Sequence, residues 1–377
     1  MLRYLDAGES HGKALCVIVD GVPSGLPLSA PAIQEFLQAR KQGYGRGGRQ
    51  KIESDHVEIL SGVRFGKTIG SPISLLLRNE DYANWQSIMD PEASAPGDYQ
   101  PITTPRPGHA DYAGYVKYQT GDIRDVLERS SARETAMRVA VGAIATLFLG
   151  QLGIQTISYV LSIGSALIRE EHYDTATIAN LISKSDCRTI ETEAENQMKN
   201  EIDEAARAGT SLGGRIMVVV AGVPIGLGSH TQWDRKLDAN IARAVMSVQA
   251  IKAVEFGLGA KSADLPGDQV HDSFGVAQGT IVRASNHAGG IEGGMSNGQP
   301  IIVKAAMKPI PTMKNPLQSV DLTTKQAVPS FFERADVCAV PAAAVVCEGV
   351  VAIEIANALL EKFGGDSLSE IQSRIQY

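Results

Sequence analysis

The chain has 377 residues, of which 44% are apolar and 20% are charged, and its formal net charge at pH 7 is −7. A chain of this length can bury a large core and usually forms one or two domains. The negative charge argues against general nucleic-acid binding, and the 4 cysteines contain no CxxC pair and are too sparse for a disulfide scaffold.

No segment of the sequence directs the chain to a membrane. The N-terminus has an acid and a glycine by position 8 and lacks the apolar core of a signal peptide. No apolar run approaches the ~20 residues of a membrane span, and Glu348 and Glu354 interrupt the Ala/Val-rich stretch 337–360. We therefore expect a soluble cytoplasmic protein whose thiols are reduced.

Strand and helix patterns follow one another without an internal repeat or a linker, so no domain boundary is predicted. Short apolar and β-branched runs indicate strands at 14–20, 56–61, 72–78, 155–162, 214–221, 278–285 and 300–306. Periodicity and capping residues indicate helices at 29–40, 131–150, 234–248 and 341–363. Long polar stretches are expected to be loops that together build one site: 41–55, 79–130, 257–277, 286–299 and 308–335.

The helix at 131–150 has the most regular pattern, with a wide, Ala-rich apolar face that should pack centrally. One of the two serines before Ala132 would cap it, and Glu134 is spaced for a capping box. Its start is flanked by Arg129 and Arg133, and its free N–H groups would suit a phosphate or a carboxylate. The alternative is a capped helix in which Arg133 forms a structural ion pair.

Three glycine motifs fail as nucleotide or hydrolase signatures. Residues 8–12 satisfy G-x-S-x-G, but a strand pattern follows where a nucleophile elbow needs a helix. Residues 62–68 have one residue too few between their glycines for a phosphate-binding P-loop and are interpreted as a surface turn. Residues 289–294 are too glycine-dense for a dinucleotide fingerprint; they form either a flexible turn or backbone that approaches a flat ligand.

The charged and titratable residues of the loops are candidates for a functional site. Five cations crowd into a dozen residues and are either solvated or face an anion: Arg40, Lys41, Arg46, Arg49 and Lys51. The histidines lack paired ligand spacing, so no metal site is indicated. His11, His109 and His287 lie in Gly-rich loops beside Ser, Asn or Asp and are candidate acids or bases.

Six segments together resemble the chorismate synthase family in order and spacing, over residues 1 to about 365. They are GESHG at 8–12, RPGHADYAG at 106–114, RSSARETAMRVAVGAIA at 129–145, SNHAGGIEGGMSNGQPI at 285–301, KPIPT at 308–312 and RADVCAVPA at 334–342. The acidic, helix-patterned stretch 163–208 and the tail after Leu368 carry little of the resemblance.

The resemblance implies a single domain over residues 1–377 with an α/β (α+β) fold, in which central helices lie between two antiparallel sheets. It further implies a homotetramer that eliminates phosphate from 5-enolpyruvylshikimate 3-phosphate, in a 1,4-anti sense, to form chorismate. Reduced FMN would be required without net redox change. The sequence leaves open whether NADPH reduces the flavin on this protein or a separate flavin reductase supplies it.

The resemblance also implies roles for individual residues. His109 would act as an acid near the flavin, His11 would protonate the departing phosphate, and Asp336 would orient or deprotonate the region of flavin N5. The FMN site would comprise Arg129, Ser130, Ser131, Gln249, Ala250, Gly293, Lys308, Pro309, Ile310, Pro311, Thr312 and Arg334. Anionic groups would be bound by Arg40 and Arg46, which match NADPH-associated positions, and the substrate by Arg49, Arg106 and Arg133.

Two other classes compete with this interpretation. An FMN oxidoreductase would consume NADPH in step with product formation. A non-catalytic anion-binding protein would explain the arginines but would show no pH-dependent activity.

Overall fold

A computed structural model of the chain describes residues 1–48, 53–92, 97–333 and 335–375. Within these residues the strands are β1 (Arg3–Ala7), β2 (Ala14–Asp20), β3 (Val57–Ile59), β4 (Val63–Arg64), β5 (Lys67–Thr68), β6 (Ile73–Arg78), β7 (Gln155–Ile163), β8 (Ala166–Leu167), β9 (Gly214–Ala221), β10 (Ile251–Phe256), β11 (Phe274–Ala277), β12 (Thr280–Arg283), β13 (Ile291–Glu292), β14 (Met295–Ser296), β15 (Ile301–Met307), β16 (Gln318–Val320) and β17 (Ala327–Pro329).

The helices of the same described residues are α1 (Ala30–Lys41), α2 (Gln86–Met89), α3 (Asp111–Tyr118), α4 (Arg124–Ser130), α5 (Thr135–Gly150), α6 (Thr175–Ile182), α7 (Thr192–Ala208), α8 (Leu237–Met246), α9 (Gly267–Val270), α10 (Val340–Phe363) and α11 (Leu368–Ile375). Short 3₁₀ turns occur at Glu80–Asn84, Ala132–Glu134, Trp233–Arg235 and Gly259–Asp264.

Two antiparallel sheets enclose a layer of helices. The first sheet has the strand order β1-β2-β6-β3 and the second has the order β10-β15-β9-β7-β8. Helices α1 and α5 pack on the first sheet, α8 and α10 pack on the second, and α5 and α10 pack on each other. The predicted sandwich, with central helices between two antiparallel sheets, is confirmed.

The two sheets differ in how their outer faces are covered. In β2, Leu15, Val17 and Val19 are buried while Ile18 between them is 54% exposed, so only one face of the first sheet meets the core. Residues 216–220 of β9 are all buried, because α10 covers one face of the second sheet and α6 and α7 lie against its other side. The acidic stretch 163–208 therefore supplies an additional outer helical layer.

Helices α5 and α10 approach closely because each has a glycine at the crossing. A Cβ atom at Gly142 would lie 2.4 Å from the Cα atom of Gly349. Helix α10 is apolar and long enough to cross a membrane by length and composition, but 83% of its most apolar window is buried inside the protein. It is the central helix of the core.

Most of the predicted elements are confirmed. Strand β2 spans the predicted residues, and α1 begins after Ser29, whose hydroxyl accepts a hydrogen bond from the N–H of Ala32 at 3.4 Å. Helix α10 ends at Phe363 and is followed by Gly364, which has a φ of 62°. Strand β2 pairs antiparallel with β1 after the 8–12 loop, as the rejection of a nucleophile elbow requires, and residues 62–68 form a small hairpin of β4 and β5.

Two predictions were wrong in detail. The long stretches predicted as loops are not all loops: 79–130 contains the short helices α2, α3 and α4, 257–277 contains α9 and β11, 286–299 contains β13 and β14, and 308–335 contains β16 and β17. The helix predicted at 131–150 starts as a 3₁₀ turn capped by Ser131, and α5 proper begins at Thr135. Glu134 forms no capping box, since its carboxylate hydrogen-bonds Gln249 and Arg138 instead.

Candidate active site

A cavity of about 530 Å³ opens where the loops at one end of the central helices meet, a size typical of small-molecule sites. Residues from α1, α4, α5, α10 and the connecting loops line it. The sequence-predicted residues among them are His11, Arg40, Arg46, Arg106, His109, Ser130, Ser131, Arg133, Gln249, Ala250, Lys308, Ile310, Pro311, Thr312 and Asp336. Of the stretches predicted to build one site, 41–55, 79–130 and 308–335 contribute to the wall of the cavity, whereas 257–277 and 286–299 contribute no lining residue.

His11 is held by a buried carboxylate on α4. Its Nδ1 lies 2.9 Å from Oε1 of Glu128, and its backbone N–H donates to Oε2 of the same carboxylate at 2.8 Å. The ring of Trp85 stacks on the imidazole with 4.0 Å between centroids. A carboxylate accepts only, so Nδ1 carries the hydrogen and Nε2 is the nitrogen left for a ligand.

Glu128 is ionised in this environment. Burial would raise its pKa, but the hydrogen bonds and charge of His11, together with the Arg124 guanidinium, hold the pKa below its ordinary value. Arg124 donates to Glu128 at 2.8 Å and to Glu333 at 3.1 Å, and its guanidinium lies 4.7 Å from the ring centroid of Trp85.

His109 belongs to a second imidazole–carboxylate pair. Its Nδ1 lies 2.5 Å from Oδ1 of Asp111, a side chain with no exposed surface. Arg106 donates to the same carboxylate through Nε at 2.8 Å and through Nη2 at 3.0 Å, and its Nη1 donates to the hydroxyl of Thr312 at 3.0 Å. Burial would raise the pKa of Asp111, but these partners hold it well below its ordinary value.

Arg133 and Arg40 form a buried charge network. Arg133 pairs with Asp55 and Glu53 and donates to Oδ1 of Asn79. Arg40 donates to Thr135 at 3.0 Å and lies 3.6 Å from Asp55. Burial lowers the pKa of Arg40 to about 10, although Asp55 opposes the shift, so the guanidinium stays charged at neutral pH. For the start of the central helix, the sequence left open either an anion site or a structural ion pair of Arg133. The structure shows the ion pair.

Asp336 is engaged on both oxygens. Its Oδ1 accepts the backbone N–H of Gly47 at 2.6 Å and its Oδ2 pairs with Arg46 at 2.8 Å. The pair draws the loop after α1 against the segment that precedes α10. Nε of Arg46 is buried without a hydrogen-bond partner among the described residues, which leaves one donor for a ligand.

The 248–250 loop also presents an unsatisfied atom. Nε2 of Gln249 donates to Glu134 at 2.5 Å, while Oε1 is buried without a partner in the described part of the chain. Burial raises the pKa of Glu134. Ala250 has a φ of 67°, a left-handed conformation that is uncommon for a residue with a side chain and occurs where function imposes strain.

Small and cationic groups complete the wall. The hydroxyl of Ser130 donates to the carbonyl of Val126 at 2.8 Å, and Ser131 caps the 3₁₀ turn. Lys308 donates to the carbonyl of Gly108 and has no carboxylate partner within the described ranges. The α10 residues at the cavity are small and apolar: Ala342, Ala343 and Val346.

Three of the predicted residues that the structure describes do not line the cavity: Arg129, Pro309 and Gly293. Arg129 pairs with Asp6 on a partly exposed side, and Pro309 lies beside the wall without lining it. Gly293 is in the turn of the β13–β14 hairpin, where an added Cβ would meet nothing within 4 Å. Arg49 and Arg334 lie outside the described residues.

Sequence reasoning missed the carboxylates that hold the two histidines and the ring that stacks on His11. Asp111 carried a usable signal, since it follows His109 by two positions in the same motif. Glu128 carried none, because it is 117 positions from His11 along the chain. Trp85 is one of only 2 tryptophans, and nothing in its local pattern indicates a cavity.

Two imidazole–carboxylate pairs and several arginines that meet in one cavity define an enzyme that performs acid–base chemistry on an anionic substrate. Within the described ranges, no group of three His, Cys, Asp or Glu side chains could hold a metal ion. The chorismate synthase family model matches residues 2–360. The chain belongs to the chorismate synthase family.

Individual relatives align with the chain over nearly their full length. The chain is 54% identical to the chorismate synthase of Geobacter metallireducens, over 99% of this chain and 97% of that protein. It is 52% identical to the chorismate synthase of Aquifex aeolicus, over 100% of this chain and 96% of the relative. A solved structure titled "Crystal Structure of Chorismate Synthase" superposes with a TM-score of 0.80 at 41% identity and covers 100% of this chain and 96% of that one.

The activity follows from the family. The chain is a carbon–oxygen lyase that removes phosphate from 5-enolpyruvylshikimate 3-phosphate to give chorismate, the last common step of the shikimate pathway to aromatic amino acids.

Proposed function

We propose that the cavity binds reduced FMN together with the phosphorylated substrate, and that His11 and His109 are the acids of the elimination. The observation that carries this proposal is the pair of imidazoles, each with Nδ1 on a buried carboxylate and each lining the same cavity. An unperturbed imidazole changes charge near pH ~6.5, so it exchanges protons readily at neutral pH.

The described residues fit a flavin. Oε1 of Gln249 and Nε of Arg46 are a buried acceptor and a buried donor without partners in the described chain, and both residues line the cavity. A flavin ring carries both N–H and carbonyl groups. The small apolar side chains of α10 would lie against a flat ring, and Lys308 would offer a cation to its phosphate. When bound, reduced FMN would supply electron density that promotes C–O cleavage, and its N5 region would accept the proton that leaves C6, so the reaction has no net redox change.

The residues of this chain then divide the remaining tasks. In the reaction a proton leaves C6 of the substrate and the C3–O bond breaks, with its electron pair passing to phosphate. His11 would donate the Nε2 proton to the departing phosphate. His109 would serve as an acid beside the ring. Asp336, held by Arg46 and Gly47, would orient the ring rather than act as a free base.

The arginines of the cavity would bind the anionic groups of the ligands. Five described cations line the cavity and are the candidates: Arg40, Arg46, Arg106, Arg133 and Lys308. Each of the four arginines also faces a carboxylate, whereas Lys308 has no carboxylate partner among the described residues. Arg40 and Arg46 are also the candidates for NADPH. Arg49 and Arg334 complete the proposed anion and flavin sites, and both lie outside the described residues.

Replacement of each histidine tests the acid roles. We expect His11→Ala and His109→Ala each to lower kcat about 10²- to 10⁴-fold in anaerobic turnover with photoreduced FMN, because each removes a positioned acid. Phosphate release is the readout, and His230→Ala, at an exposed site, is the matched control. If both variants kept near wild-type rates, the acid roles would be abandoned.

The source of reduced flavin is a separate question. Pure protein incubated with FMN and NADPH under nitrogen would bleach the flavin absorbance if it reduces its own cofactor. An unchanged spectrum would assign the reduction to a separate flavin reductase. NADPH consumption in step with product would instead favour the rival oxidoreductase.

We also propose a single domain, a homotetramer and a cytoplasmic location. One main hydrophobic cluster runs from Leu2 to Ile371, which supports the single domain. The 4 cysteines are free, consistent with a reducing compartment. A tetramer with dihedral symmetry needs two interfaces, and two pairs of exposed apolar residues on neighbouring strands of the described chain are candidates for them: Leu5 with Ile18, and Val276 with Ile281.

A further inference from the structure

The environment of His11 is built from one side chain that contacts it twice. Glu128 binds both the ring Nδ1 and the backbone N–H of His11, and its side chain is 2% exposed. The ring is then confined between this carboxylate at its edge and Trp85 on its face. These contacts leave the imidazole with one tautomer and restrict its rotation.

We propose that Glu128 is the positioning residue of the lyase reaction, which holds His11 as the Nδ1–H tautomer and stabilises its protonated form, with Trp85 as the second wall. The inference rests on the proposed acid role of His11. In the step concerned, the C3–O electron pair passes to phosphate, Nε2 gives up its proton to that oxygen, and the ring ends neutral with Nδ1–H still on Glu128.

The charges around the ring favour this role. Glu128 is the carboxylate in direct contact with the imidazole, and an opposite charge at this distance stabilises the imidazolium. Arg124 opposes the effect from the far side of Glu128, but Glu333 pairs with it and offsets part of its charge. Asp81 lies behind Trp85 and accepts from its indole N–H at 3.3 Å.

A purely structural role for Glu128 makes a different prediction, because Glu128 also anchors the backbone of the 8–12 loop. If Glu128 were only a structural anchor, its replacement would still lower kcat in a variant that lacks the imidazole. If Glu128 is a positioning residue, its replacement would have no further effect on kcat there, because it acts through the ring. A double-mutant cycle between the two residues separates these cases.

The kinetic test uses Glu128→Gln, which keeps the shape of the side chain. We expect kcat to fall about 100-fold with KM changed far less. In the His11→Ala background the same substitution should lower kcat no further. Asp125→Asn, an exposed carboxylate on the same helix α4, is the matched control and should leave kcat unchanged. Full additivity of Glu128→Gln and His11→Ala would overturn the proposal.

A second readout needs neither substrate nor flavin. In a Trp233→Phe background Trp85 is the only tryptophan, and a stacked imidazolium quenches indole emission. Emission should therefore show a pH-dependent step that disappears in His11→Ala. Glu128→Gln should move the midpoint about 1 pH unit lower, whereas Glu128→Asp, which keeps the charge, should leave it close to the starting value.

The outcomes separate this inference from the proposed function. If His11→Ala retained activity, the acid role would fail, while a shifted emission midpoint would still place Glu128 in control of the ring. If His11→Ala lost activity but Glu128→Gln changed neither kcat nor the midpoint, the acid role would stand and the positioning role would be refuted. Far-ultraviolet circular dichroism of each variant checks that the fold is retained.

Discussion

At the scale of single residues, the carboxylate of Asp111 fixes the positions of two other side chains of the cavity, His109 and Arg106. Its fully buried carboxylate accepts from the imidazole of His109 and from the side chain and backbone of Arg106. Arg106 in turn reaches Thr312 on the opposite loop. The side chain of Asp111, which has no exposed surface, thus fixes a cation and an imidazole relative to each other.

Asp111→Asn should therefore destabilise the protein at neutral pH by about 3 kcal/mol, because it leaves Arg106 as a buried charge without its partner. The pKa of Asp111 is lowered in the folded state, so its contribution is complete above the unfolded value near pH ~4 and is lost as the pH falls below it. The difference in unfolding temperature between variant and wild type should be full at pH 7 and should shrink below about pH 4.

The control for this measurement is Asp98→Asn, which removes an exposed carboxylate. Its unfolding temperature should match that of the wild type across the same pH range. A deficit in Asp111→Asn that stayed constant down to pH 3 would show that the lost contacts, and not the charge, account for the cost.

The residues that carry charge in the loops were predictable, and their partners were not. His11 and His109 are visible in the sequence because Gly-rich loops hold them beside polar residues. The local sequence around Glu128 and Asp55 does not distinguish them from other acidic residues. Their roles are visible only in the folded chain, where they pair with His11 and Arg133. Non-local ion pairs of this kind have no spacing rule.

At the scale of elements, the central layer depends on how closely α5 and α10 cross. The two glycines at the crossing are not equivalent. A Cβ at Gly142 would lie 2.4 Å from a backbone atom of α10, whereas a Cβ at Gly349 would meet its nearest atom at an ordinary 3.4 Å. The helix pair therefore tolerates a methyl group on one side only.

Gly142→Ala should lower stability by about 1–3 kcal/mol, because the helices must separate to admit the new methyl group. Gly349→Ala is the matched control and should be neutral or stabilising by up to about 1 kcal/mol, since alanine is the better helix former. Apparent unfolding temperatures at a fixed scan rate compare the two. Equal losses in both variants would contradict the asymmetry.

The periodicity of these helices was sufficient to predict them, and their glycines were not sufficient to predict the crossing. Apolar residues at helical spacing located α5 and α10 to within four residues at each end. Strand β1 was missed because only five residues carry its alternation, and its pairing with β2 decides its conformation. A local sequence pattern therefore does not predict elements, or ends of elements, whose conformation depends on pairing with a distant segment.

At the scale of the whole molecule, the outer faces of the two sheets are covered to different extents. Helices α6 and α7 cover the second sheet, while Leu5 and Ile18, which face each other across β1 and β2, leave the first sheet with an exposed apolar face. The hairpin of β11 and β12 exposes Val276 and Ile281, also directly paired. Two separate apolar surfaces on one chain are what two isologous interfaces require.

The proposed tetramer can therefore be taken apart one interface at a time. Leu5→Lys/Ile18→Lys should yield dimers, because buried lysines cannot pair across an apolar interface. Val276→Lys/Ile281→Lys should yield dimers held by the other surface, and all four substitutions together should yield monomers. Leu167→Lys, at an exposed apolar residue on β8, should remain tetrameric. Light scattering after size-exclusion chromatography gives the masses, and a wild-type mass retained by both pairs would place the interfaces elsewhere.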